Sequence, residues 1–261
     1  MALKTIYVAR HGYRSNWLPE GPYPAPPTGI DSDVPLAEHG VDQAKQLAEY
    51  ISATWDEERK PQMVFTSPFY RCVQTSEPVV KALDLPLVIE RGLGEWYKPD
   101  RPVIPEPATV AQLSELFPEV TFDTQWGGPT VIPSRKGESE QEIFARSGDF
   151  LSKFLDRMQR DYPDIERVLF VTHAATKQCI GMKLLNIENV RDSIDEQGNV
   201  LHNASCSIDW FEYTGNNWLL KMNGETSFLK DGAEMDWNFT YGFEAGSDAD
   251  IKARRLRGEI N

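Results

Sequence analysis

The chain has 261 residues, enough to bury one substantial core, and this length favours a single domain over two small ones. Lys and Arg total 27 against 40 Asp and Glu, and the resulting net charge of −13 argues against direct binding to nucleic acid or to acidic membranes. No apolar run nears the roughly 20 residues of a membrane span, and MALKTIYVARHG lacks a signal-peptide core, so a soluble, intracellular protein of cytoplasm or nucleus is expected.

Thr5–Ala9 is the first short β-branched apolar run, and Arg10, His11 and Arg14 follow it within five positions. Three such groups where a strand turns imply that an anion is received there. Leu18–Pro35 then holds six prolines, a loop long enough to be functional rather than connective. Within it Asp31-Ser-Asp33 follows no strand and precedes Pro35, so it reads as a turn rather than as paired metal-binding aspartates. Val41, Ala44, Leu47, Ala48 and Ile51 fall on one helical face. Met63–Thr66 is a second strand, after which Ser67-Pro68 opens a helix with Arg71 about one turn inside. A third strand, Leu85–Ile89, leads to RGLGEWY with Glu95, and the loop Trp96–Pro107 carries four prolines.

Ile143, Phe150, Leu151, Phe154, Leu155 and Met158 mark a further helix. Val168–Thr172 is a fourth strand; His173 stands at its end and opens a helix through Ala174, Ala175, Cys179, Ile180 and Leu184. Cys206–Tyr213 and Trp218–Met222 flank TGNN, a hairpin signal. From about residue 231 the tail is acidic and aromatic, then basic at Lys252, Arg254, Arg255 and Arg257; a solvated or loosely docked end is expected. Cys72, Cys179 and Cys206 lie far apart, without disulfide-framework or zinc spacing, and read as small buried residues. Strands alternating with amphipathic helices predict an α/β fold: a three-layer sandwich, a mostly parallel mixed sheet with helices on both faces, in one domain over 1–261.

In such a sheet ligands bind beyond the carboxyl ends of the strands. Four strand ends deliver two histidines, three arginines and one glutamate to that rim, a set suited to phosphoryl transfer. The guanidinium forks of Arg10, Arg14 and Arg71 match the oxygens of a phosphoryl group. The same arginines disfavour protonation of His11, which leaves it available as a nucleophile. His173, if protonated, adds charge stabilisation, and Glu95 supplies a proton to the leaving oxygen and later activates water. The arginines provide the charge, so neither a metal nor a cofactor is expected. A lone Arg-His-Gly carries little weight; the joint placement carries the reading. His39 and His202 read as structural. Lys98, Arg101, Arg135 and Lys136 have two readings, as pocket walls favouring substrates with extra negative charge or as ordinary solvated loop charges. Gly92-Leu-Gly94 lacks the third glycine of a dinucleotide fingerprint, and neither a P-loop nor a GxSxG elbow occurs.

RHG at Arg10–Gly12, PLAEHGVDQA at Pro35–Ala44, SPFYRCVQT at Ser67–Thr75, GEWY at Gly94–Tyr97 and VTHAAT at Val171–Thr176 together resemble the histidine phosphatase superfamily, with its phosphoglycerate-mutase-like fold. The resemblance implies a metal-independent phosphatase with His11 as the phosphorylated residue. It further implies Arg10, Arg71 and His173 as phosphate ligands and Glu95 as proton donor. Arg14 resembles the extra pocket arginine of the branch that includes the phosphatase domains of T-cell signalling suppressors, which favours phosphatase over mutase. Ala174 departs from the glycine that commonly follows the second histidine. The proline-rich insertion after YRSNW is similar to that of the fungal branch formed by histidine-phosphatase subunits of the RNA polymerase III factor TFIIIC and a stand-alone paralogue. This second likeness implies transcription-factor complex subunits as partners, and an assembly module as the rival to an active enzyme. The substrate class, a phosphorylated small molecule or a phosphoprotein, is left open.

Overall fold

The apolar runs become the parallel strands β1 (Thr5–Arg10), β2 (Met63–Thr66), β3 (Leu87–Ile89) and β4 (Arg167–Thr172). The hairpin also forms: β5 (Ile208–Tyr213) and β6 (Trp218–Glu225) run antiparallel, and Thr214 N–H donates to Asn217 O across the turn. This fold is that of a computed structural model and is described over residues 3–259; Met1, Ala2, Ile260 and Asn261, within the expected span 1–261, lie outside the described residues.

The sheet order is β3-β2-β4-β1-β5-β6, with β5 antiparallel to β1, so an α/β fold with a mixed sheet is what the chain adopts. Successive strand residues point to opposite faces, and each face has its own helical layer. Tyr7, Ala9, Val64, Leu169 and Val171 pack on α1 (Glu38–Glu49), α2 (Tyr70–Leu83) and α3 (Val110–Leu116), through Leu47, Val73 and Leu113. Ile6, Val8, Phe65 and Phe170 meet α4 (Glu140–Asp161) and α5 (Ala174–Leu184), through Phe150, Phe154 and Ile180. Each such aromatic or branched side chain, fully buried, contributes about 1.5–3 kcal/mol, and this apolar seam holds the layers together. All three cysteines are free and buried, as expected. Among the described residues no helix is long and apolar enough to cross a membrane.

Two expectations need correction. The helix after Ser67-Pro68 begins at Tyr70, with extended Phe69 as its N-cap, so Arg71 is its second residue and not one turn inside. The Asp33 carboxylate accepts the Tyr70 N–H at 2.7 Å and so caps this helix from another loop. The tail from 231 is likewise not a loose end. Trp237 and Phe239 are buried in the main core beside Trp96, and Met235 and Ile251 pack with Tyr13 and Trp17. The helix α6 (Asp248–Arg257) docks through buried Arg254, which meets Asp250 at 2.9 Å and donates to Asp236 O at 2.6 Å.

Candidate active site

β1 and β4 are neighbours, yet α1, which follows β1, and α5, which follows β4, cover opposite faces of the sheet. The chain therefore diverges between their carboxyl ends, where an open α/β sheet leaves a crevice. His11 follows β1 and His173 follows β4 as the N-cap of α5, and their ring centroids lie 5.4 Å apart at 65°. Gly12 explains the tight turn behind His11: a Cβ there would meet Gly40 O at 2.5 Å, so only glycine lets the loop pass against α1.

His11 is buried, and its Nδ1 lies 2.8 Å from Gly12 O. A carbonyl only accepts, so Nδ1 carries the proton and the neutral ring keeps its lone pair on Nε2. Burial first, then the charges of Arg71 and Arg10, hold this imidazole well below its usual range. Sequence reasoning credited the arginines; desolvation is the larger cause. His173 Nε2 lies 2.8 Å from Ser67 Oγ, and its Nδ1 lies 3.1 Å from Glu95 Oε2. A neutral ring can donate from Nδ1 to Glu95 and accept from the serine, in which case Arg71 Nη2, 3.1 Å from the same Nδ1, donates to Glu95 and not to the ring. Burial moves its proton affinity down to about 4, although Glu95 opposes this.

Arg71 is buried and donates from Nη2 to Glu95 Oε2 at 3.0 Å, while its Nη1 lies 3.7 Å from Asp33 Oδ1. Against burial, which favours the protonated acid, the His173 ring, the Arg71 guanidinium and the Trp96 N–H hold the Glu95 carboxyl well below its usual range. Arg14 stacks over Trp17 at 5.5 Å, and burial followed by the Arg71 charge brings its proton affinity down to about 10, which leaves it cationic at neutral pH. Arg10 is also brought to this end, but Nη1 is committed to Asn203 O at 2.5 Å and Met235 O at 2.6 Å. Its charge reaches His11. The buried Nε atoms of Arg10, Arg14 and Arg71 have no hydrogen-bond partner. A cleft of about 230 Å³ is lined by Arg14, Arg71, Glu95, Tyr97, Arg101 and Glu244, while His11, His173 and Arg10 are buried beside it and not part of its lining.

All six candidates thus converge. Of the four loop cations, Arg101 lines the cleft but is tied to Glu244 at 3.4 Å, and Lys98 donates to Gly242 O at 3.0 Å. Arg135 lines a neighbouring cleft and pairs with Glu106 at 3.3 Å. None faces the cleft as an unpaired cation, and Lys136 does not line it. His39 bonds Glu234 at 2.5 Å and His202 meets Asp236 at 3.1 Å, both away from the cleft lining. Sequence reasoning missed Asp33, fully buried behind Arg71, because a carboxylate in a proline-rich turn carries no local sign of its partner. It also missed Asn203 and Met235, which act through backbone oxygens that any residue type supplies. His11, Glu95 and His173 bring ligand-type atoms within 4.8 Å of one another. Arg71 already holds the Glu95 oxygen, and the charges of Arg71, Arg10 and Arg14 around these donors favour an anion.

The sequence profile of the histidine phosphatase superfamily (branch 1) matches residues 6–226. The chain belongs to that superfamily. It is 49% identical over 279 aligned positions to the transcription factor tau 55 kDa subunit of Saccharomyces cerevisiae, covering 98% of this chain and 63% of that protein. It is 26% identical to the ecdysteroid-phosphate phosphatase of Drosophila melanogaster, covering 83% of this chain and 31% of that one. The chain therefore spans less than two thirds of both curated relatives. Among solved structures, the ecdysone phosphate phosphatase of Bombix mori in complex with tungstate superposes with a TM-score of 0.65 at 17% identity, over 92% of this chain and 100% of that one. The mycobacterial glucosyl-3-phosphoglycerate phosphatase with inorganic phosphate gives 0.54 at 19% identity, over 87% and 99%. These likenesses bear out the family read from the motifs and the phosphoglycerate-mutase-like fold.

Proposed function

We propose that this chain is a metal-independent phosphomonoesterase working through a phosphohistidine on His11. The observation that carries the reading is the edge-to-face pair of buried, neutral imidazoles, His11 and His173, beside a crevice walled by Arg14, Arg71 and Glu95. The Nε2 lone pair of His11 attacks phosphorus while Nδ1–H stays on Gly12 O. Arg71, Arg14 and Arg10 bear the spreading charge of the phosphoryl oxygens. An incoming phosphomonoester sets its own negative charge against Glu95 and draws Arg71 towards itself. The carboxyl's proton affinity rises, so it takes up a proton from the monoanionic ester or from solvent and passes it to the departing oxygen. Afterwards the Glu95 carboxylate takes a proton from the water that attacks the phosphohistidine, releasing phosphate and restoring His11.

Hydrolysis of an aryl phosphate in the presence of chelator tests this. Wild type should turn over, and His11→Ala should lose several orders of magnitude; equal rates would end the reading.

A second reading is carried by the 49% identity to a transcription factor subunit: the domain also serves as an assembly module, with phosphorylated small molecules or phosphoproteins as substrates and transcription-factor subunits as partners in the nucleus. An acidic body of net charge −13 suits basic partners. Affinity purification that recovers no such subunits counts against it. The two readings are compatible.

A further inference from the structure

Tyr97 is 8% exposed, and its buried Oη has no hydrogen-bond partner. The neighbouring Trp96 is satisfied, its Nε1–H donating to Glu138 O at 2.7 Å, so the same loop serves one polar ring and leaves the other orphaned. Packing fixes the ring that carries the hydroxyl. Phe69 lies against the ring at 6.1 Å between centroids, and the Arg101 guanidinium stacks over it at 4.7 Å. Tyr97 and Glu95 line both the cleft of about 230 Å³ and a narrow adjoining one, so they stand where the two meet. The charges acting on the hydroxyl are those of Arg71, Glu95, Arg14 and Arg101, and burial raises its proton affinity far above the usual phenol range. Tyr97 is therefore a neutral O–H donor at any physiological pH, held among the cations read above as phosphate ligands. A buried donor without an acceptor is costly, and an arriving ligand oxygen removes that cost.

We propose that Tyr97 Oη donates a hydrogen bond to a non-bridging phosphoryl oxygen of the substrate, making it a phosphate-binding residue beside Arg71 and Arg14. The assignment rests on the phosphatase reading for its substrate, but an anion alone tests it. In the free protein the hydroxyl holds nothing in place, so Tyr97→Phe removes one oxygen and leaves the ring against Phe69 and Arg101.

Purified wild-type chain and Tyr97→Phe are titrated calorimetrically with inorganic phosphate at neutral pH with chelator, and their ligand-free melting temperatures are compared. The variant should melt no lower than wild type and bind phosphate about threefold to tenfold more weakly, the range of one net hydrogen bond. Equal phosphate affinity overturns the assignment. So does a defect confined to KM for the ester, which would place the hydroxyl on the leaving group, or a wild type that binds no phosphate. Aryl phosphate turnover by wild type separates this from the reading beneath it. Phosphate binding with the Tyr97→Phe defect but no turnover ends the catalytic reading and leaves the assignment; turnover with no defect does the reverse.

Discussion

Glu95 Oε2 lies 3.0 Å from Arg71 Nη2 and 3.1 Å from His173 Nδ1, so one carboxylate oxygen is shared between a guanidinium and an imidazole. In the free site this acid is ionised, and it can protonate a leaving group only once a substrate has altered that balance. Its value should therefore depend on how badly the departing oxygen needs a proton. Glu95→Gln should lower kcat for an alkyl phosphate by about 10²–10⁴-fold and change kcat for a nitrophenyl phosphate much less. Parallel losses on both substrates would remove Glu95 from the role of acid.

The buried histidines make stability depend on pH. The folded protein holds His173 from its ordinary 6.5 down to about 4, and His11 also well below 6.5, whereas the unfolded chain takes up protons near 6.5. The unfolded state then binds more protons as pH falls, so stability drops below pH 6.5 and keeps dropping until the folded values are reached. For His173 a shift of this size implies a loss of about 2 kcal/mol between pH 7 and 5, and His11 acts in the same direction. Denaturant melts across that range should show the decline, with a shallower slope in His173→Asn. A flat profile would mean that these rings are wet.

Asp33 ties three elements together, accepting from Thr28 Oγ1 at 3.0 Å and Tyr70 N–H at 2.7 Å while facing Arg71 at 3.7 Å. Asp33→Ala leaves the first turn of α2 uncapped and frees one side of the guanidinium. A loss of about 1–3 kcal/mol in stability is expected from the orphaned N–H and charge, together with a fall in kcat/KM. Melting curves and steady-state rates check both; an unchanged kcat/KM would leave Asp33 a cap and nothing more.

Lys177 and Asp209 pair at 2.6 Å with no exposure of either side chain, and they pin α5 to β5. The remaining valences are met: Lys177 donates to His202 O at 2.8 Å, and Gly224 N–H donates to Asp209 at 2.6 Å. Lys177→Met should cost about 3–5 kcal/mol by stranding the carboxylate, and Lys177→Met with Asp209→Leu should recover much of it. A double-mutant cycle by denaturant unfolding measures the coupling. Additive losses would show two separate packing defects instead.

The fold was legible because β1, β2 and β4 are short apolar runs ended by polar or turn residues, and the helices between them carry regular apolar stripes. The placement of the six candidate groups was legible because Arg10 ends β1 and the others stand in the loop or first turn after a parallel strand, where position alone indicates direction. Asp33 and Tyr97 were not assigned roles, since what distinguishes them is a partner, or the lack of one, supplied by distant loops. The tail was misread for a similar reason. Met235, Trp237 and Phe239 alternate in a segment without a strand's hydrogen bonds, and they become core only because Trp17 and Trp96 wait for them.

Arg10 leaves the first strand of the sheet, yet the carbonyl of Met235 that holds its Nη1 is 225 positions further along the chain. During synthesis on the ribosome the nucleophile's loop therefore emerges long before its brace exists. The brace on Arg10 can form only after all six strands have been synthesised, and a nascent or C-terminally clipped polypeptide would carry the family's motifs without the clamp that steadies them.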